Sequence, residues 1–501
     1  MYRAVRSRAV LSTLQQSLSQ RVITRSMTSR SATTQRRLQT TAQWLQPKRQ
    51  MSTTHESIHN IEKAQAEVLH RQNLGVRDIV LNRPKKLNAL NVEMVRAMTP
   101  LLQSWEKSDL AKVVIIKSEP GTAFCAGGDV KTVVDLASEG KFEEACAFFQ
   151  DEYQLDHLIA TLKKPFISIM DGITMGGGVG LSVHAPFRIA TENTLFAMPE
   201  TKIGFLPEVG GSFFLSRLDG QLGVYLGLTG KRLKGVDAFY AGIATHYVPS
   251  SRLADLEARI SELENPTHDM INSAIEEFSG ELDEEATFSL GGETRAAIDR
   301  CFKFDSMGDI MAAVKKEQGG KADAWAQETL KYLNSMSPTS LKVTLHQVRS
   351  GATLTIGQCF KMEFHLVQKF LKDHDFKEGV YNVLVHRGKQ ATWEPATLDE
   401  VDDQKIKADY FNAPSSLTLS LLNNSDYKQY PHRKYMLPTE EEIKQVVTGE
   451  APNVGNYALS KQEVLDYVVR ERNGKQGVKQ KVLEVLERKT KDDNQTLKWV
   501  Y

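Results

Sequence analysis

The chain has 501 residues, 41% hydrophobic and 25% charged, with a formal net charge of +1, a balance expected of a soluble globular protein. No run approaches the roughly 18 apolar residues that a bilayer span needs, so no membrane partner is expected. The first fifty residues hold nine Arg, one Lys and no acid; taking these ten cations from the net +1 leaves −9 on the rest, which argues against DNA or RNA binding driven by bulk charge.

Residues 1–50 are also rich in Ser and Thr and space out apolar residues such as Val5, Val10, Leu11 and Leu14. This pattern fits an amphipathic mitochondrial presequence better than a basic RNA-binding arm, and places the protein in the matrix. A strand-like stretch at 78–82 leads into the basic turn Arg83-Pro84-Lys85-Lys86, and helical spacing covers 92–105. The apolar run at 113–116 reads as a buried strand and opens into a glycine loop at 121–129, with Gly127, Gly128 and Asp129 at its end. Taken alone, that loop is a plain strand-to-helix turn, with Asp129 as a helix cap and Cys125 as a packed thiol. The cysteines at 125, 146, 301 and 359 lack the paired spacing of zinc sites, and neither a metal nor a disulfide is expected.

A helix over 142–162 precedes a strand at 165–169, which enters the turn Gly172-Ile173-Thr174-Met175-Gly176-Gly177-Gly178-Val179-Gly180. Backbone N–H groups at a helix start lack partners, and a chain without Cβ atoms approaches a ligand oxygen closely. Such a turn suits a developing oxyanion, with Gly177 as one donor and Gly128 as the other. The glycine spacing matches neither a Walker nor a dinucleotide-binding pattern. Next, residues 199–211 repeat a Pro-Glu pair and close on Gly210-Gly211. Both acids read as surface loop residues in isolation, but beside Ile203, Phe205 and Leu206 a carboxyl is pushed towards neutral-pH titration. Glu200 is therefore the first catalytic candidate and Glu208 the second. Ser182 lacks a Gly-x-Ser-x-Gly frame, and His184 reads as structural.

After residue 265 strands nearly vanish, and helical spacing at 325–336 and 360–371 points to a helical region that covers the site's mouth or builds an interface. Within it Met362, Phe364 and Leu366 read as core. Beyond Trp393 a polar stretch precedes helical segments at 461–470 and 478–488. Their mixed charges, Arg470, Arg472, Lys475, Lys479 and Lys481, read as a solvated face or, more sharply, a docking surface.

The three loops, 124–129, 175–180 and 199–211, together resemble the crotonase (enoyl-CoA hydratase/isomerase) superfamily. Within it the chain is most similar to the 3-hydroxyisobutyryl-CoA hydrolases, through residues 172–184, Phe196-Ala197-Met198-Pro199-Glu200-Thr201, 228–230, 233–235, 241–246, 336–342 and 374–380. The resemblance implies an α/β fold, a spiral of ββα units followed by a helical region. The expected domains are 65–265 for the thioester site, 266–410 for the helices and 411–501 for an extension. It also implies a CoA-thioester substrate and no separate cofactor, with Gly128 and Gly177 holding the thioester oxygen, Glu200 at the catalytic position, Glu152 contacting substrate and Lys86 facing the CoA phosphates. Glu208 departs from the hydrolases of this family, which carry Asp there, one methylene shorter; Gly180 stands where hydratases carry a second Glu, so the resemblance favours hydrolysis, as in valine breakdown, over hydration. Glu200 attacks directly or activates water. Relatives with a C-terminal extension also resemble a protein of the mitochondrial small ribosomal subunit, the alternative partner.

Overall fold

The computed structural model describes residues 67–280, 288–386, 389–455, 458–493 and 496–500; the expected presequence at 1–50 lies outside them. Strands β1 (Val68–Asn73) and β2 (Val76–Leu81) pair antiparallel. The chain then crosses over through helix α1 (Val92–Lys107), started by the Asn91 side chain, which accepts from the Met94 N–H at 2.8 Å. β3 (Val113–Ser118), helix α2 (Phe142–Thr161) and β4 (Phe166–Met170) follow. A short β5 (Ile173–Met175) ends at helix α3 (Gly177–Val183), and β6 (Phe187–Ala190), β7 (Leu195–Ala197), β8 (Leu233–Lys234) and β9 (His246–Tyr247) complete the strands of this part.

The main sheet runs β1-β2-β3-β4-β6-β9, parallel from β2 onward, and β5-β7-β8 form a smaller second sheet. Parallel strands require cover on both faces. Met94, Leu102, Leu155 and Ile159 from α1 and α2 pack on one face of the main sheet; Leu256, Ile271 and Ile275 pack on the other. The mixed α/β architecture with a helix-rich C-terminal half matches the expected fold class.

Helices α4 (Gly211–Leu215) and α5 (Leu222–Thr229) receive the later helices α6 (Gly292–Cys301), α7 (Pro338–Gly351) and α8 (Ile356–Phe370). Ser337 caps α7 with Pro338 at its first position, and a Thr355–Gln358 capping box opens α8, so both starts are written locally. Three more helices, α9 (Glu440–Thr448), α10 (Lys461–Glu471) and α11 (Val478–Lys489), carry their own Thr439 and Ser460 capping boxes or glycine start and end in the hairpin β10 (Thr490–Asp493) and β11 (Thr496–Trp499).

One core joins Phe149, Phe205 and Tyr225 to Phe302, Leu345, Phe364 and, from the extension, Val446, Val464, Val478 and Val485. The described residues, from 67 onward, form one compact unit. The boundary expected at 410/411 falls inside the helical turn Lys407–Asn412. Among the described residues no helix is long and apolar enough to cross a membrane.

Candidate active site

Two glycine loops are stitched together by the backbone. Cys125 N–H donates to Ile173 C=O at 2.9 Å, and Met175 N–H returns to Cys125 C=O at 3.0 Å. On the other side Leu90 N–H reaches Gly127 C=O and Asp129 N–H reaches Leu90 C=O, both at 2.8 Å. These ladders occupy the amides flanking Gly128 and leave its own N–H without an acceptor among the described residues; the Gly177 N–H, in the first turn of α3, has none either.

Gly176 sits at the join, with φ +45°. A Cβ placed on it would lie 3.1 Å from Gly127 Cα, 3.8 Å from Gly128 N and 3.3 Å from Glu200 Oε1. Both loops and the Glu200 carboxylate thus meet at one point. Glu200 opens a 3-10 turn (Glu200–Ile203), is 6% exposed, and leaves Oε2 without a hydrogen-bond partner. Burial pushes its carboxyl up to about 8, because removing water penalises the charged form.

Glu208 is buried with an unpartnered Oε2, and burial, followed by the charges of Glu152 and Glu200, raises its pKa well above the usual carboxylate range. Glu152, on α2, reaches the first turn of α3: its Oε1 lies 2.6 Å from where a Cβ on Gly177 would stand. Lys86 is exposed in the 3-10 turn (Pro84–Lys86), next to Leu87, whose C=O accepts from Ala126 N–H in the Gly128 loop. Arg83 turns inward to Asp129 at 3.0 Å and to Ala89 C=O at 2.9 Å. Phe148 and Leu90 form apolar walls, each 3.2 to 3.4 Å from the Cβ positions of Gly128 and Gly177.

The helical region fixes the carboxylates in place. Ser337 N–H donates to Thr201 C=O at 3.1 Å, and Gly379 lies against Ile203 so closely that a Cβ would meet its C=O at 2.3 Å. The buried Glu363 carboxylate of α8 accepts from Gly210 N–H at 2.7 Å and Ser212 N–H at 2.8 Å, while Gln347 of α7 donates to Pro207 C=O at 2.7 Å. Both ends of the Glu208 loop are thereby held from α7 and α8. Phe364 and Leu366 are core, and Met362 packs at its margin.

Sequence reasoning passed over Glu363 and Asp156. Asp156 is wholly buried on α2, with neither oxygen partnered; an acid four residues after Glu152 on a helix face otherwise lined by Phe149 and Tyr153 was the available signal. His184 is structural as expected, with Nε2 2.7 Å from Val209 C=O, and the Ser182 hydroxyl is spent on Gly178 C=O at 2.8 Å. The four cysteines are buried and free.

The model of the enoyl-CoA hydratase/isomerase family matches residues 76–411. The chain belongs to that family, the crotonases. Among curated relatives, the mitochondrial 3-hydroxyisobutyryl-CoA hydrolases of Gallus gallus and Homo sapiens are each 44% identical, over 68% of this chain and 88% and 86% of theirs. The small ribosomal subunit protein mS47 of Neurospora crassa is 47% identical over 84% of this chain and 85% of its own. Among solved structures, a carnitinyl-CoA dehydratase from Mycobacterium thermoresistibile superposes with TM-score 0.64 at 36% identity, covering 72% of this chain and 99% of that one. An enoyl-CoA hydratase from Rhodobacter sphaeroides gives 0.62 at 31% identity, covering 69% and 97%.

Proposed function

We propose that this crotonase-family protein hydrolyses a short hydroxyacyl-CoA thioester in mitochondria, with 3-hydroxyisobutyryl-CoA as the first substrate to test. The observation that carries the reading is the meeting of the Gly128 loop, the Gly177 helix start and Glu200 around Gly176. Two N–H donors aimed at the thioester oxygen stabilise the charge that develops there, and one such donor is commonly worth about a hundredfold to a thousandfold in rate. Glu200, half ionised near pH 8, then adds to the carbonyl carbon or takes the proton of an attacking water. The C–S bond breaks and CoA leaves as the thiolate, which takes up the proton that the water gives up; on the direct route that water then hydrolyses the Glu200 anhydride to the free acid.

The glycine at 180 supports hydrolysis over hydration. A Cβ there would stand 2.4 Å from Asp156 Oδ2, so a second catalytic Glu has no room at that position. Purified protein is expected to release CoA thiol from 3-hydroxyisobutyryl-CoA, and Glu200→Gln to lower kcat by at least about a hundredfold. Unchanged turnover in that variant would falsify the role given to Glu200.

A second reading, membership of the mitochondrial small ribosomal subunit, is favoured by one specific observation. The Neurospora mS47 match extends over 439 residues, against 340 to 343 for the two hydrolases, and so reaches beyond the length that the hydrolases share with this chain. If that reading holds, the full-length chain sediments with small subunits from lysed mitochondria; a chain found only at the top of the gradient excludes it. The two readings do not exclude each other.

A further inference from the structure

Helices α2 and α3 meet through a pair of acids and a pair of glycines. Glu152 and Asp156 lie one helical turn apart on α2, and the α3 positions opposite them are Gly177 and Gly180. A Cβ on either glycine would collide with the facing carboxyl, 2.6 Å from Glu152 Oε1 and 2.4 Å from Asp156 Oδ2. The missing side chains make room for two carboxyls that water does not reach, at 1% and 0% exposure. Glu152 Oε1 and both Asp156 oxygens have no hydrogen-bond partner among the described residues.

The groups facing the pair offer no compensating positive charge. They are Glu208 from the 199–211 loop, Glu363 from α8, the Cys125 thiol from the first glycine loop and the Tyr153 hydroxyl. Next to them on α2, His157 is fully buried, and burial lowers its pKa, so it brings no positive charge either. Neighbouring carboxylates in a dry site cannot both ionise, because each charge opposes the other and neither is solvated.

We propose that Glu152 and Asp156 hold one proton between them, with Asp156 a positioning residue that keeps the Glu152 carboxyl neutral beside the Gly177 donor. An ionised Glu152 at that place would oppose the negative charge arriving on the thioester oxygen; a neutral one donates a hydrogen bond to the substrate. No bond forms or breaks in this step, and the proton stays within the pair. The inference rests on the thioester reading for its consequence, but the shared proton itself is measurable without turnover.

The test is an infrared titration of protonated-carboxyl C=O bands in Glu200→Gln/Glu208→Gln protein, where those two neighbours are silent. A band should persist above about pH 8 and, with Asp156→Asn added, titrate at least one pH unit lower, since the like charge that retains the proton is gone. In otherwise wild-type protein, Asp156→Asn should move the alkaline limb of the kcat/KM profile down by the same interval, about a tenfold loss at a fixed alkaline pH. A titration midpoint and an alkaline limb that both stay in place would overturn the proposal. If Asp156→Asn does not fold, absence of the persistent band in the parent protein overturns it equally. Should the band behave as described while no thioester is cleaved, the shared proton stands and the hydrolase reading falls.

Discussion

Gly178 shows how narrowly the donors are set. A Cβ on it would stand 2.3 Å from Cys125 C=O and 2.8 Å from Cys125 Cβ, against the carbonyl that accepts from Met175 N–H. Gly178→Ala therefore has to push the two loops apart. Displacements near an ångström at a reacting centre cost about a hundredfold in rate, so kcat of the variant should drop by at least that factor. Circular dichroism and a thermal melt alongside the assay separate this from global unfolding; full activity in a folded Gly178→Ala would mean that the loops do not jointly position the donors. The glycine loops and Glu200 were legible in the sequence because their signals are local: a strand, a turn that only glycine fits, and a carboxyl among apolar neighbours. Glu363 and Asp156 were not, since each is an acid on an amphipathic helix whose role appears only when that helix is docked.

At the level of elements, the extension shows the limit of reading charge from sequence. Lys475 and Lys481 are buried, not solvated: Lys475 pairs with Glu276, and Lys481 with Asp219 at 2.7 Å. Arg472 pairs with Glu442 at 2.6 Å. Under α9 and α11 the fully buried Arg295 of α6 meets Asp299 and, at 3.1 Å, Glu440, which also receives Arg488. Alternating charges along a helix look alike whether they face water or partners on the next element, so spacing did not distinguish them; Val478, Val482, Val485 and Leu486 of α11 form its buried face. Arg295→Met removes the cation from this network and leaves Asp299 and Glu440 under-compensated. Breaking a buried pair on one side costs about 3–5 kcal/mol, and denaturant unfolding of the variant should show a loss of that order. A change below about 1 kcal/mol would place the network among the weak surface pairs. Truncation near residue 411 strips the same cluster and the core valines together, which makes it unsuitable as a test of ribosome association.

Across the whole molecule, two sets of buried titratable groups act on stability in opposite directions. His184 and His246 are held at about 4, below the ordinary 6.5, by burial in both cases, with Lys475 adding to it at His246. The unfolded chain binds their protons first, so their contribution is present above pH 6.5 and lost as pH falls towards 4. Glu276, which burial alone would raise, is instead held at about 2 by His246 and Lys475, and its contribution is likewise lost on the acid side, below 4.5. Glu200 at about 8 and Glu363 at about 7 are raised, chiefly by burial. The folded state keeps these protons longer than the unfolded one, so their contribution is complete below pH 4.5 and lost as pH rises through 7 and 8; Glu152, Asp156 and Glu208 are shifted the same way. Between about pH 4.5 and 6.5 the five raised carboxyls hold more protons in the folded state than the two histidines give up, so the denaturation midpoint should peak near about pH 4.5 and fall towards both pH 2 and pH 9. Glu200→Gln, with no charge to bury, should flatten the alkaline fall and become the more stable protein at pH 9, the expected cost of holding a reactive carboxyl in a dry site. A midpoint that climbs steadily from pH 6 to pH 9 would mean that these carboxyls are ionised without penalty and that the site is wetter than its burial implies.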